Sequence, residues 1–172
     1  MIRDIIKYTI IFILLVLTQG LILNNIEMGG YINPYLYVLL ILLLPFEMPA
    51  WIGLLVAFVL GISIDIFTST LGIHTSATLF MAFSRKYVLK LMAPRGGYEF
   101  GTEPQIQYMG LSWFLTYAGI LVLLHHTFLF FIESFTFSHF FSTLGRVLLS
   151  SIFTILLICI TQLFSYKSGK RK

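Results

Sequence analysis

The chain has 172 residues, of which 58% are hydrophobic and only 10% are charged, with a formal net charge of +4. Soluble domains carry about a quarter charged residues, so this composition excludes a protein whose whole surface faces water. The basic residues are grouped between apolar runs, a pattern typical of membrane topology rather than of a nucleic-acid interface. We therefore expect an all-α integral membrane protein with no nucleic-acid partner.

Six apolar segments, taken in chain order, predict a single domain over residues 1–172 with six transmembrane helices. A helix needs about 20 residues to span a bilayer, with about 17 as the practical minimum. The predicted spans are about 5–23, 34–48, 51–67, 74–91, 111–132 and 144–164. Five of them are long enough, and the second is marginal.

The first segment follows Arg3 and Lys7, as the apolar part of a signal peptide would. The run over 8–23 is long, however, and no small-x-small cleavage site follows it. We therefore expect an uncleaved first span.

The second segment is short but has clear boundary signals. Asn33 is a good helix N-cap, and Pro34 suits the first helical position because its missing N–H costs nothing there. Pro45 can end or kink the helix, and Pro49 separates it from the next one. A re-entrant hairpin is the competing interpretation of this segment.

The distribution of positive charge favours six spans, because cytoplasmic loops carry the excess of Lys and Arg. The basic clusters are Arg3 and Lys7; Arg85, Lys86, Lys90 and Arg95; and Lys167, Lys170, Arg171 and Lys172. Six spans place all three clusters on one side and leave only Arg146 on the other. Both termini and the loop over 93–110 are therefore predicted to be cytoplasmic, with 24–33 and 133–143 outside.

Small residues recur every four positions in the third segment, which places Gly53, Ala57, Gly61 and Asp65 along one stripe of a helix. Small residues let helix backbones approach closely in lipid, so this stripe predicts a helix-packing face. The alternative is a substrate cleft lined by backbone.

Asp65 ends that stripe inside the predicted hydrocarbon region, where a carboxylate needs a partner or a proton. His74, His125 and His126 are the candidate partners at similar depth. Because His125 and His126 are adjacent, at most one can join Asp65, and the other would face lipid headgroups or a partner protein. Three roles are open for Asp65: a tether that fixes helix register or caps the turn at Gly72, a proton-coupling group, or a metal ligand.

No P-loop, GxSxG or HExxH motif occurs in the sequence, so we expect neither catalysis nor a bound metal or cofactor. The single cysteine, Cys159, lies in an apolar run and cannot form a disulfide within the chain.

The stretch over 33–85 resembles a known family. Pro34 opens the short second segment, and 53–85 reads GLLVAFVLGISIDIFTSTLGIHTSATLFMAFSR. The core pattern is Gly61-x-x-x-Asp65, followed by Leu71-Gly72-x-His74. This pattern, together with the length and span count, resembles the rod shape-determining protein MreD, a family of the bacterial cytoplasmic membrane.

The resemblance implies a non-enzymatic role in the machinery that inserts peptidoglycan along the side wall. Its expected partner is an MreC-like membrane protein, which links MreB filaments to a SEDS glycosyltransferase and a class B penicillin-binding protein. Membrane lipid is a further expected partner. Gly61, Asp65 and Gly72 are the family-motif positions, with no chemical role implied for them.

The family also resembles the substrate-binding subunits of energy-coupling-factor transporters, so a vitamin-binding subunit is the alternative function. Those subunits often carry Ala-x-x-x-Ala in the first helix, a pattern that the first segment here lacks. A small channel is a third alternative, but it would need more polar residues at the membrane midplane.

Overall fold

The computed structural model describes residues 2–26, 31–135 and 140–165, and the regular structure in these ranges is entirely helical. The long helices are α1 (Ile2–Leu17), α3 (Ala50–Thr68), α4 (Ile73–Leu91), α6 (Leu111–Ser134) and α7 (Phe140–Ser165). Two short helices, α2 (Leu39–Leu43) and α5 (Ile106–Met109), lie between them. Helix α1 continues as a π-helical turn over Thr18–Ile22 and a 3₁₀ turn over Leu23–Asn25.

Four stretches are long and apolar enough to cross a membrane: Ile2–Asn25, Ala50–Thr68, Leu111–Ser134 and Phe140–Phe164. Their outward faces carry apolar side chains such as Leu14, Ile66 and Leu156, which are each more than half exposed. The helical membrane class expected from composition is therefore confirmed. Helix α4 is as long as α3, but three basic residues make its second half much less apolar.

The second segment is much less helical than the sequence predicts. The predicted helix over 34–48, starting from Asn33 and Pro34, is wrong in its extent, because only Leu36–Val38 and Leu39–Leu43 are helical. The helix therefore begins after Tyr35, and Asn33 is not its cap.

Side chains from neighbouring helices explain this late start. Three backbone N–H groups, located before and at the helix start, donate to side chains of α7 and of the α1 continuation. They therefore do not form hydrogen bonds of a helix. The acceptors are Ser150 Oγ for Asn33 (3.0 Å), Thr154 Oγ1 for Tyr35 (3.0 Å) and Gln19 Oε1 for Leu36 (2.8 Å). Backbone N–H groups that already have a side-chain acceptor do not require helical hydrogen bonds. Helix propensity does not predict such acceptors, because they come from distant parts of the chain.

The second segment runs through the middle of the bundle, antiparallel to α1. It starts beside Gln19, near the end of α1, and reaches Tyr8, near its beginning, where the Tyr8 hydroxyl donates to the Leu43 carbonyl at 3.0 Å. Residues 36–44 are at most 7% exposed. The non-helical residues on either side of the short helix let the segment extend from Gln19 to Tyr8. An extended residue advances about 3.3 Å along the chain, whereas a helical residue advances about 1.5 Å.

Polar contacts identify the two ends of the bundle. At one end, the Lys7 ammonium contacts the Glu103 carboxylate at 2.5 Å, so the start of α1 lies beside the 93–110 connection. At the other end, Arg146 pairs with Glu133 at 3.1 Å. We call these the Lys7 end and the Asp65 end. Asp65 lies in the last turn of α3, and Thr68 of that turn lines the same cavity as Glu133 and Arg146.

Candidate functional site

The predicted motif residues meet at the turn that joins α3 to α4, at the Asp65 end. Helix α3 ends at Thr68, and Ser69 adopts a left-handed conformation with φ of 56°. Gly72, just before α4, has φ of 82°, a conformation that glycine adopts without steric cost. This tight reversal brings the start of α4 back over the last turn of α3.

The Asp65 carboxylate accepts four hydrogen bonds, three from the N-terminus of α4 and one from the turn before it. Oδ1 accepts from the His74 backbone N–H at 3.0 Å and from the Thr70 hydroxyl at 2.5 Å. Oδ2 accepts from the backbone N–H and the hydroxyl of Thr75, at 2.9 and 2.5 Å. The first N–H groups of a helix have no partner within it, so Asp65 performs the task of an N-cap from the preceding helix.

These contacts give Asp65 a tethering role. His74 offers it a backbone N–H and not its imidazole, and neither His125 nor His126 hydrogen-bonds to Asp65. The positive end of the α4 dipole adds to the stabilisation of a negative charge at this place. A buried carboxylate is thus accommodated without a histidine partner.

Gly61 lies where α3 and α4 approach most closely. A Cβ atom on Gly61 would stand 2.4 Å from the Thr75 Cα atom, closer than any real contact. Ala57, one turn earlier, is fully buried. A Cβ on Gly53 would meet only a Leu44 methyl group at 3.9 Å, so the stripe faces α4 at one end and residues 44–49 at the other. Its packing partners lie within the chain.

The imidazole of His74 belongs to a buried polar cluster. The Tyr37 hydroxyl lies 3.0 Å from His74 Nδ1 and 2.9 Å from His125 Nε2. One hydroxyl donates a single bond, so one of these nitrogens accepts from Tyr37 and the other donates to it. His125 Nδ1 is buried and has no hydrogen-bond partner among the residues that the structure describes. The cluster joins α4, α6 and the second segment.

The protonation of His126 follows from its neighbours. Its Nδ1 lies 2.9 Å from the Val122 carbonyl, which can only accept, so Nδ1 carries the proton. Its Nε2 therefore accepts from the Thr154 hydroxyl at 3.1 Å, and Thr154 in turn accepts from the Tyr35 N–H. The imidazole, the hydroxyl and the backbone form one ordered chain of bonds between α6, α7 and the second segment.

The expectation that one of the two adjacent histidines faces lipid headgroups or a partner is wrong. His125 and His126 are both fully buried. Helix α6 packs against α4 on one side and α7 on the other, so two different faces of α6 are both interior.

A small polar cavity of about 240 Å³ lies beside this cluster at the Asp65 end. The residues with polar side chains that line it are Asn24, Asn33, Tyr35, Thr68, Thr70, His74, Glu133 and Arg146. Asn33 and Pro34, predicted as a helix start, therefore form part of its wall instead. Ligand pockets usually measure about 300–1,000 Å³, so this cavity suits only a small polar molecule or water.

The sequence alone did not identify several residues of this site. Tyr37, Gln19 and Thr154 connect the second segment to its neighbours, yet each belongs to an otherwise apolar run. The available signal was a hydrogen-bonding side chain at membrane depth, which needs a partner in lipid. Which partner it finds depends on how the helices pack.

Chemically, the site can hold helices in register and bind a small polar molecule. Within residues 2–26, 31–135 and 140–165, no three His, Cys, Asp or Glu side chains are grouped so as to hold a metal ion. No protein-family model, curated protein or solved structure matches the chain.

Gly61→Ala should destabilise the protein by about 1–3 kcal/mol, because the added methyl group forces α3 and α4 apart. Gly53→Ala, on the same helix, makes the same chemical change with room for the methyl group and should leave stability unchanged. Thermal unfolding of both variants in detergent measures the difference. Equal stability of the two would contradict the close α3–α4 contact.

Asp65→Ala should lower stability by about 2 kcal/mol, since two backbone N–H groups lose their acceptor. Asp65→Asn should lie between Ala and the original protein, because its amide retains one acceptor oxygen and turns an NH₂ toward a donor. Glu99→Gln, an exposed carboxyl-to-amide change, is the control. A fully stable Asn variant that fails to complement a deletion would instead support proton coupling at Asp65.

Proposed function

We propose that the protein is a non-enzymatic scaffold of the bacterial cell-elongation machinery that binds the membrane helix of an MreC-like partner. An apolar groove between α1 and α3 is the observation that carries this proposal. Its volume is about 560 Å³, and its lining is almost entirely apolar. The resemblance of the α3–α4 motif to the MreD family supplies the identity of the expected partner.

The groove arises because α1 and α3 converge at one end only. Near the Asp65 end, a Cβ on Gly20 would stand 2.6 Å from the Phe67 ring, so the helices touch there. Toward the Lys7 end they separate, and Ile5 and Phe12 of α1 face Val56 of α3 across the gap. Residues of the second segment form the floor.

An open apolar groove in a bilayer has two possible occupants, acyl chains or another helix. The hydrophobic effect does not distinguish them, since lipid tails are as apolar as Leu side chains. Close packing does, because a helix fitted to the groove gains dispersion contacts that mobile acyl chains do not keep. The rigid α3–α4 hairpin holds one wall of the groove in place. This arrangement supports a docking role.

The proposed topology has six crossings with both termini in the cytoplasm. Arg85, Lys86, Lys90 and Arg95 follow the middle of α4 toward the end at which Lys7 lies beside Glu103. The second segment passes from the Asp65 end to the Lys7 end, which supports counting it as a crossing in spite of its short helix. The basic residues 167–172 lie outside the described residues.

In the proposed complex, the scaffold and the MreC-like protein connect MreB filaments in the cytoplasm with the SEDS glycosyltransferase and the class B penicillin-binding protein. The membrane would be the bacterial cytoplasmic membrane, which is where the resemblance to the MreD family places the protein. The positive charge gathered at the Lys7 end would then face the cytoplasm.

The alternative is a vitamin-type binding subunit of an energy-coupling-factor transporter. The polar cavity at the Asp65 end favours it, because that end faces outward in the proposed topology. A cavity of about 240 Å³ is small for a vitamin, which favours the scaffold. A vitamin that co-purifies with the protein would favour the transporter subunit over the scaffold.

Cysteine labelling tests the topology. In a Cys159→Ser background, a membrane-impermeant maleimide added to intact spheroplasts should label Asn25→Cys and should not label Gly96→Cys. Both positions are exposed, and a Cβ on Gly96 meets nothing within 4 Å. Permeabilised cells should label both, which controls for reactivity. Labelling of Gly96→Cys from outside would contradict cytoplasmic placement of the 93–110 connection.

Filling the groove tests the docking role. Val56→Trp places a large ring in the groove, whereas Leu55→Trp places the same ring on the exposed face of α3. Val56→Trp should reduce co-purification of the MreC-like protein at least tenfold, because the partner helix loses its space. Leu55→Trp should leave it unchanged.

Cell shape gives an independent measurement for the same pair. Val56→Trp, at normal abundance, should fail to restore rods after depletion of the protein, and Leu55→Trp should restore them. Rod-shaped cells with Val56→Trp and normal capture of the partner would show that the groove is not the docking surface. Normal rods after full depletion, together with lost uptake of a vitamin, would favour the transporter alternative.

A further inference from the structure

Arg85 is a buried cation inside the helical bundle. It lies in the second half of α4 and is only 8% exposed. A charged side chain at membrane depth is expensive, and such residues usually pair with an opposite charge or serve a ligand. Within the described ranges 2–26, 31–135 and 140–165, the ion pairs are Lys7–Glu103 and Arg146–Glu133, so none involves Arg85.

Neutral groups hold the Arg85 guanidinium in one orientation. Its Nε donates to the Tyr117 hydroxyl at 2.8 Å, and its Nη2 donates to the carbonyls of Leu44 and Pro45. Tyr117 in turn donates to the Leu42 carbonyl at 3.1 Å. These bonds use Nε and Nη2, and Nη1 has no hydrogen bond to any described residue. The contacts fix the geometry of the guanidinium and leave its charge unneutralised.

A cavity of about 290 Å³ opens beside Arg85, between α3, α4 and residues 44–49. Arg85, Lys86 and Lys90 all line it, and no Asp or Glu does. The remaining wall is mainly apolar, with Met48 and Leu89 among its residues. The cavity therefore combines basic residues with an apolar surface.

We propose that this cavity binds the phosphate group of an anionic phospholipid. A planar guanidinium matches phosphate oxygens, and Lys90 adds charge at the cavity wall. The Lys86 ammonium lies over the Phe83 and Tyr87 rings, at 4.9 and 4.7 Å, and contributes charge only from that side. The apolar wall accommodates the first part of an acyl chain. A free anion would leave this wall uncovered. Basic pockets between membrane helices on the cytoplasmic side are a known way of binding anionic headgroups.

Gly53 has a specific part in this proposal. It lines the cavity, and a Cβ there would meet only a Leu44 methyl group at 3.9 Å, so the missing side chain is not required by helix packing. Its absence keeps the cavity open. The small-residue stripe of α3 thus serves two purposes, close packing at Gly61 and space for the lipid at Gly53.

Native mass spectrometry of the full chain in detergent, titrated with phosphatidylglycerol or phosphatidylcholine of identical chains, tests the proposal. Phosphatidylglycerol should bind at least tenfold more tightly. Lys90→Gln should weaken that binding about fivefold, the effect of one cation near an anionic headgroup. Arg95→Gln removes the same charge from an exposed residue that does not line the cavity, and should have no effect.

Occupation of the cavity is tested without changing charge. Gly53→Leu fills the space and should abolish selective binding of phosphatidylglycerol, whereas Gly53→Ala should retain it. These variants keep Arg85 and its structural bonds intact, so a loss of binding does not reflect misfolding of the charged cluster. Thermal unfolding of Gly53→Leu, unchanged from the original protein, checks this point.

Three results would overturn the proposal. Equal binding of the two lipids would remove the role of the headgroup charge. Equal weakening by Lys90→Gln and Arg95→Gln would show diffuse attraction and no defined site. Inorganic phosphate that displaces phosphatidylglycerol at equal concentration would identify a site for a free anion, because the acyl chain would then contribute nothing.

Discussion

The structure depends on one constraint: backbone N–H and C=O groups inside a membrane must be satisfied by the protein. The second segment meets this constraint with few helical bonds of its own. Gln19 accepts from Leu36 and donates to the Pro34 carbonyl, while Thr154 accepts from Tyr35. Helices α1 and α7 are thereby joined to the second segment, which is buried in the centre of the bundle. The bundle is organised around this segment because removing either neighbour would expose polar backbone to lipid.

Two buried charges illustrate different uses of the same interior. Asp65 is surrounded by donors, four of which bond to its two oxygens, so its charge is balanced by the start of α4 and the Thr hydroxyls. Arg85 is held by neutral acceptors and lies at the wall of a cavity. The first charge therefore has a complete structural explanation, while the second keeps capacity for a ligand. This difference is why we assign Asp65 to the fold and Arg85 to binding.

The helices of the bundle also differ in how far they are exposed to lipid. In the most apolar stretch of each helix, 44% of the α6 residues are buried against 22% of the α1 residues, so α1 is the more open to lipid. The contact between Gly20 and Phe67 joins α1 to α3 at one end and leaves a groove at the other. A scaffold needs a stable part and a surface free to bind. The proposed docking groove and lipid cavity both lie toward the Lys7 end, and Leu44 and Met48 line both of them.

The sequence by itself determined the membrane class, because continuous apolar runs leave few alternatives in lipid. It also predicted the bounds of the five long helices to within four residues, apart from the end of α1, where the α-helix gives way to a π-helical turn after Leu17. It also singled out Gly61 and Asp65. Only the tertiary structure decided that Asp65 caps α4, that His125 and His126 are both interior, and that helix is absent at Asn33–Pro34. These outcomes depend on partners many residues away in the chain, such as Thr154 for Tyr35. Local propensity does not record such long-range hydrogen bonds, so the least helical part of the bundle was the part least predictable from sequence.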